Sequence, residues 1–484
     1  MTKLAPSSVT DVRPTVRANT APPERSTRRW WALVVLALAQ FLVVLDASIV
    51  NIALPSVGSA LSMNTAALSG VITAYVLPFG GLLLFGGRLA DRFGHRRLFL
   101  IGVLGFVLGS ATAGLAVSGE MLLTARAIQG ASAALLAPAS LALLTQLFRT
   151  PEDRAKALGL WGAVAGIGSA AGVLLGGVLT AAFGWSAVFF VNVPVGVIIL
   201  VAIPMLVTRD PSGSKQRLDL PGAITVTAGL VALVAGFTQA EHLGFAHPIS
   251  LALFAAAVAL IAAFVAIEAR SSSPLLSLGI FRTASITAGN IAVATIGAAT
   301  VALFFALSVY MQSVLGYDAL TAGLSQLPLA GALVLIAAVA PSLIGRFGVR
   351  PTLVGALVLL AGGLVWLSFA PSTASFVGSI LAPSIVIGIG LGAGFVAGTQ
   401  LAVNGVRDTQ TGLASGLVNT SQQIGGAIGL AVLSTVAAAR TQSLSASGVS
   451  LGDALTSGFS LAFLGAAALA LLGALAVTVI RQRR

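Results

Sequence analysis

The sequence predicts an all-α polytopic membrane protein with fourteen spanning helices. Hydrophobic residues make up 57% of the 484-residue chain and charged residues only 8%, against about 25% charged in a soluble domain. Fourteen apolar runs approach the ~20 residues that a helix needs to cross the hydrocarbon, and they lack the alternation of a membrane barrel. With the N-terminus in the cytoplasm and fourteen crossings, every Lys and Arg except Arg126 and Arg440 falls on the cytoplasmic side. Shifting the count by one helix destroys this positive-inside pattern.

Residues 1–29, rich in Pro, Ser, Thr and Arg, read as a disordered cytoplasmic tail. The apolar run after Trp30 and Trp31 is too long for the core of a cleaved signal. Runs centred near Val43, Gly80, Leu108, Leu135, Gly168 and Ile198 give a first bundle over 30–208. Those near Leu230 and Val258 give a two-helix linker over 209–282. Those near Gly297, Gly331, Leu360, Gly388, Gly425 and Ala468 give a second bundle over 283–484. The division rests on an internal echo. Arg92, Gly94 and Arg96 in GGRLADRFGHRR align with Arg346, Gly348 and Arg350 in IGRFGVRP, 254 residues further on. A fainter echo links Glu152–Gly159 with Arg407–Ala414. Repeats of this kind place a transporter's substrate site between the halves, near mid-membrane, and leave the linker pair at the periphery.

Two charges lie well inside apolar runs, Asp46 and Arg126. A charge at the bilayer centre costs from ~2.5 to more than ~10 kcal/mol, so such residues mark function. Asp46 falls ~22 Å along its helix beyond Trp31, and Arg126 ~8 Å below the outer edge, so their depths agree. A buried carboxylate without a cation holds its proton more tightly, and one beside Arg releases it more readily. If that neighbourhood opens alternately to the two sides, Asp46 carries protons across. The alternatives are a permanent Asp46–Arg126 salt bridge, or an Arg126 that snorkels outward.

The cytoplasmic turn holds Gly87, Arg88, Asp91, Arg92, Gly94 and Arg96 beside His95 and Arg97, denser than topology alone requires. Asp91 among cations can latch the two halves by charge-assisted bonds that break when that face opens; the plainer alternative is a solvated topogenic turn. Helix five carries Gly162, Gly166, Gly168, Gly172 and Gly176 at spacings that let two helices approach closely. A variable apolar cargo suits a wall of aromatics and uncharged polar groups. The candidates are Gln40 and Asn51 from helix one, Phe304, Phe305 and Tyr310 from helix nine, and Asn419, Gln422 and Gln423 from helix thirteen.

Other chemistries are excluded or unsupported. The net charge of +12 is topogenic and meets anionic headgroups, so membrane lipids and not nucleic acid are its partners. Cysteine is absent, and His95, His242 and His247 fall in predicted loops, so no metal site or cofactor is expected. No phosphate-cradling GxxxxGK[ST] occurs, which leaves a proton gradient as the energy source. No catalytic constellation suggests an enzyme.

GGRLADRFGHRR resembles motif A of the major facilitator superfamily. LDASIVNIALP (Leu45 to Pro55), LTARAIQGASAALLAP (Leu123 to Pro138) and WSAVFFVNVPVG (Trp185 to Gly196) resemble the first-, fourth- and sixth-helix segments of its fourteen-helix drug:proton antiporters. The resemblance covers residues 30–480. It implies two six-helix bundles with two additional central helices, in a bacterial cell membrane, with both termini cytoplasmic and the chain a monomer. It makes Asp46 the coupling acid, Arg126 its electrostatic modulator and Asp91 the cytoplasmic latch. The function it implies is proton-coupled export of amphipathic small molecules, conferring drug or antibiotic resistance. The chain departs from the family in three places. Ser169 and Val173 stand where the helix-five signature carries prolines, Gly345 stands where an acid would match Asp91, and the second half lacks the deep acids of divalent-cation exporters. The implied cargo is therefore neutral, zwitterionic or monocationic. A lipid or glycolipid exporter on the same fold, and a membrane sensor or scaffold without flux, are the competing expectations.

Overall fold

Hydrocarbon offers backbone groups no partners, so each apolar run must close its hydrogen bonds within itself. In the computed structural model the described residues are 23–148, 150–208, 219–271, 274–276, 278–404 and 411–480. They form fourteen long helices. The first six are α1 (Pro23–Leu61), α2 (Thr65–Phe93), α3 (His95–Gly114), α4 (Gly119–Leu147), α5 (Pro151–Phe183) and α6 (Ala187–Leu206). The next two are α7 (Leu220–Leu243) and α8 (Pro248–Arg270). The last six are α9 (Ala284–Val314, ending in a π turn), α10 (Ala319–Phe347), α11 (Val349–Leu367), α12 (Phe376–Val403), α13 (Thr411–Ala446) and α14 (Leu451–Val479). Among the described residues thirteen are long and apolar enough to cross a membrane, and α5 adds the apolar stretch Ile167–Phe183.

Helix α1 begins at Pro23, inside the stretch expected to be tail; residues 1–22 lie outside the described ones. Proline suits a first helical turn, where an N–H has no intrahelical partner. Tertiary contacts hold the next turn: Arg28 donates to the Met205 carbonyl at 2.5 Å, and Arg29 pairs with Asp153 at 2.9 Å.

The internal echo extends to helix boundaries. α2 and α10 each span 29 residues, and their caps Asn64 and Asp318 both accept a bond from the third residue beyond, at 2.9 and 2.7 Å. Each helix stops at a glycine, Gly94 with φ 95° and Gly348 with φ 87°, a conformation that side chains disfavour. Both pairs of positions are 254 residues apart.

In the first bundle α1 packs on α5 and α6, and α4 packs on α2 and α3. In the second α9 packs on α13 and α14, and α12 packs on α10 and α11. The bundles meet where α2 touches α13 and α5 touches α10. Helix α7 lies against α2 and α13 on the outside of that junction, and α8 packs chiefly on α7. At the end opposite the Asp91–Arg97 turn, side-chain bonds among the described residues tie the halves, Ser434 to Ser69 at 3.5 Å and two to α1. Ser308 donates to the Asn51 carbonyl at 2.6 Å, and Gln312 to the Ile52 carbonyl at 3.0 Å.

The helix-five glycines fill the expected packing seam. A Cβ on Gly172 would lie 2.5 Å from Ser48 Cβ, and one on Gly176 2.8 Å from the Ile49 carbonyl oxygen. Gly168 approaches Phe41 and Val44 of the same helix. Gly162 and Gly166 lie outside the described side chains.

Candidate functional site

The seam holds α1 close enough to α4 and α6 for Asp46 to be enclosed. Asp46 is fully buried, and Arg126 is 1% exposed. Arg126 Nη1 donates to Asp46 Oδ2 at 2.5 Å and to Gln129 Oε1 at 2.9 Å, while its Nε donates to the Val71 carbonyl at 3.3 Å. The guanidinium lies over the Tyr75 ring, 4.3 Å from its centroid, and 5.9 Å from that of the buried Phe189. Asp46 Oδ1 accepts from Gln129 Nε2 at 3.1 Å and from Asn192 Nδ2 at 2.8 Å. Ser110 Oγ accepts from the same two amides, at 2.6 and 3.0 Å. Arg126 therefore does not snorkel: its charge is held inside the bundle by Asp46.

Five helices thus converge on one carboxylate, and three donors address it. Two buried polar atoms in this cluster have no partner among the described residues, Asn192 Oδ1 and the Tyr75 hydroxyl. A carboxylic acid needs an acceptor for its proton. Turning the Asn192 amide over presents such an acceptor to Asp46, so the cluster has a bonding pattern for both protonation states.

Gln129, Asn192, Ser110 and Tyr75 were not singled out from the sequence. Gln129 had a usable signal, since it lies one turn from Arg126 on the same face of α4. Asn192 had one too, as an amide inside the apolar run of α6. Ser110 and Tyr75 had none.

The expected cavity residues separate into three groups. Gln40 and Asn51 share one stripe of α1, turned roughly 120° away from Asp46. Gln40 Oε1 and Asn51 Oδ1 are buried without partners among the described residues, and Ala47, on the stripe between them, is exposed. On α13, Asn419 is exposed while Gln422 and Gln423 are half-buried, with Gln423 Cβ against Gly80 of α2. Phe304 packs with Ile52, Val173 and Ala319 where the halves meet, and Phe305 is buried. Tyr310 belongs elsewhere. It is buried within the second bundle, where its hydroxyl donates to the Pro371 carbonyl at 2.6 Å and its ring meets Phe459 edge-on at 6.4 Å. The π turn Tyr310–Val314 rotates the end of α9 out of the register that an uninterrupted α-helix would keep.

At the arginine-rich end, Gly94 makes the α2–α3 turn and Gly87 sits near Pro138 of α4. Asp91 meets His95 at 3.1 Å, and His95 Nδ1 meets Gln146 of α4 at 3.0 Å, so this chain of contacts stays within the first bundle. His95 opens α3, although the sequence placed it in a loop. Arg96 donates to the Pro204 carbonyl at 3.3 Å, and Arg92 lies over Phe93 at 5.5 Å. Arg88 reaches furthest. It donates at 2.7 Å to the carbonyl of Pro274, in the segment between α8 and the second bundle.

Two six-helix halves related by a repeat, with one ion pair sealed inside the first, define a secondary membrane transporter. Residues 36–430 match the Major Facilitator Superfamily, and the chain belongs to it. It is 40% identical over 417 residues to a puromycin resistance protein of Streptomyces alboniger, covering 86% of this chain and 83% of that one. It is equally similar, at 40% over 417 residues, to a cephamycin export protein of Amycolatopsis lactamdurans, with 85% of each chain covered. Among solved structures, an auto-inhibited POT-family peptide transporter superposes with a TM-score of 0.70 at 17% identity, covering 95% of this chain and 97% of that chain. At that identity the likeness shows the fold alone.

Proposed function

We propose that the chain is a proton-coupled antiporter that exports amphipathic small molecules by alternating access, conferring drug or antibiotic resistance. The observation that carries the coupling is the sealed Asp46 cluster. It is the one carboxylate deep in the bundle among the described residues, and its neighbours can satisfy it with or without a proton. The relatives named for puromycin resistance and cephamycin export support the direction and the cargo class. A neutral, zwitterionic or monocationic cargo fits the uncharged amides Gln40, Asn51 and Gln422 better than a dianion or a divalent cation. The proposal has both termini and the Asp91–Arg97 turn in the cytoplasm of a bacterial cell, an orientation that the positive-inside pattern supports. The chain divides functionally into bundles over 30–208 and 283–484, with 209–282 as linker.

The test separates cargo binding from coupling. Asp46→Asn cannot titrate, yet with Asn192 flipped its amide still bonds to Arg126 and to Asn192, and only the Gln129 bond to it is lost. It should bind puromycin as wild type does and fail to concentrate it against an imposed pH gradient in proteoliposomes. Concentrative export by well-folded Asp46→Asn would end the single-carboxylate mechanism.

A further inference from the structure

A cavity lies away from the Asp46 cluster, on the outside of the junction between the halves. It encloses about 500 Å³ between α2, the α7–α8 pair, the segment after α8, and α9, α13 and α14. Val226, Phe264, Leu275, Leu276 and Phe281 form its linker side. Its walls are apolar apart from hydroxyls at Thr295, Thr420 and Ser421. Along α13 it runs from Leu417 to Val432, or about 22 Å parallel to the helices. It is a slot, and Phe281 and Ile291 on its walls are 37% and 36% exposed. Because α8 packs chiefly on α7, the slot opens toward the lipid.

The charges collect at one end. Arg270 closes α8 and Arg282 follows Phe281, both exposed, and Arg88 holds Pro274 beside Leu275. Two acids are near and are turned inward. Glu268 Oε2 accepts from the Leu276 amide at 3.0 Å, and Asp219 Oδ1 from the Gly222 amide at 2.9 Å, both residues being buried. A long apolar slot normal to the membrane, with exposed cations at headgroup depth, matches a lipid in shape and charge. We propose that it holds one acyl chain of an anionic phospholipid, with the phosphate against Arg282 and Arg270. The occupant would join α7 and α8 to the second bundle. It is bound by both halves, so it would respond to their relative movement.

Native mass spectrometry of the purified chain, titrated with phosphatidylglycerol or phosphatidylcholine of matched chain length, tests this. Wild type should retain one phosphatidylglycerol in preference to phosphatidylcholine. Arg282→Gln should lower phosphatidylglycerol affinity about fivefold, the ~1 kcal/mol a surface cation contributes toward an anionic lipid, and leave phosphatidylcholine unchanged. Val226→Trp should fill the slot and reduce binding of both lipids. Equal retention of the two lipids by wild type would overturn the proposal, as would full phosphatidylglycerol retention by Val226→Trp. If Val226→Trp fails to fold, the exposed Arg282→Gln decides alone, and an unchanged lipid preference refutes the proposal. Displacement of phosphatidylglycerol by puromycin, molecule for molecule, would make the slot a cargo site and overturn the lipid assignment.

Discussion

Replacing Arg126 by leucine removes the cation that faces Asp46 and leaves the two amide donors in place. The bond lost runs from Nη1 to Oδ2 at 2.5 Å and joins two charged groups. Hydrogen bonds to charged groups contribute about 1.5–3 kcal/mol, so under the proposed coupling proton-driven export should fall roughly tenfold to a hundredfold. Leucine can pack between Tyr75 and Phe189, so the fold should survive. Puromycin flux into inverted proteoliposomes under an imposed pH gradient gives the loss, and thermal unfolding in detergent reports on folding. Arg126→Lys, which keeps a charge but loses the fork, should fall between. A folded Arg126→Leu protein with wild-type export would refute the argument, since the ion pair would then have no part in coupling.

Three further outcomes follow from particular contacts. Gly172→Ala places a Cβ 2.5 Å from that of Ser48, so it should cost about 1–3 kcal/mol as overpacking and lower the unfolding temperature. Gly345→Ala, where a Cβ meets nothing within 4 Å, should leave it unchanged, and equal stabilities would discredit the seam. Asn192→Leu removes both a donor to the charged Asp46 and the acceptor available to its protonated form; export should fall roughly tenfold, about one such bond, with puromycin binding intact. Unimpaired export by that variant would show that the amide plays no part in the cycle. Asp318, capping α10, has its carboxyl held below the ordinary carboxylate range by bonds from the Thr321 side chain and then its backbone. A lowered value in the folded state means that its contribution is complete above the ordinary value and is lost as pH falls through the lowered one. Amide exchange at the start of α10 should accelerate in that acid range, and Asp318→Asn should abolish the dependence; an identical acid response in the variant would exclude the cap.

Features with a high energetic cost were visible in the sequence. Asp46 and Arg126 stood out because a lone charge in hydrocarbon is costly, and their partnership followed from depth alone. The repeat stood out because Arg92, Gly94 and Arg96 recur 254 residues on, and in the structure Gly94 and Gly348 end α2 and α10 with positive φ. Uncharged polar residues carry a weaker signal. A buried amide between helices contributes little on average, about 0.6 kcal/mol in one well-measured case, so the spacing of Gln129 from Arg126 and the place of Asn192 in an apolar run stood out less than a charge does. Helix rotation was equally hidden. At 100° per residue Tyr310 stands roughly 120° round α9 from Phe304, and composition does not say which of the two faces the junction.

Helix α1 is where the buried charge and the movement of the halves meet. Asp46 belongs to a network whose hydrogen bonds, among the described residues, stay within the first bundle. Five and six residues further along α1, the carbonyls of Asn51 and Ile52 accept bonds from Ser308 and Gln312 of α9. Between them, Ser48 and Ile49 ride on the glycines of α5, which leave no slack for α1 to tilt without sliding along that seam. At its far end α5 also meets α10, through Gly177 and the Ala319 carbonyl. A change in the bonding of Asp46 that shifts α1 by a fraction of an ångström is thus delivered directly to the contacts that close one side of the molecule. Close-packed interfaces of this kind have few intermediate arrangements, so a small shift favours one packing or the other. Under the proposed coupling, a proton bound in the first bundle would thereby bias the opening between the two, without any charged group crossing from one half to the other.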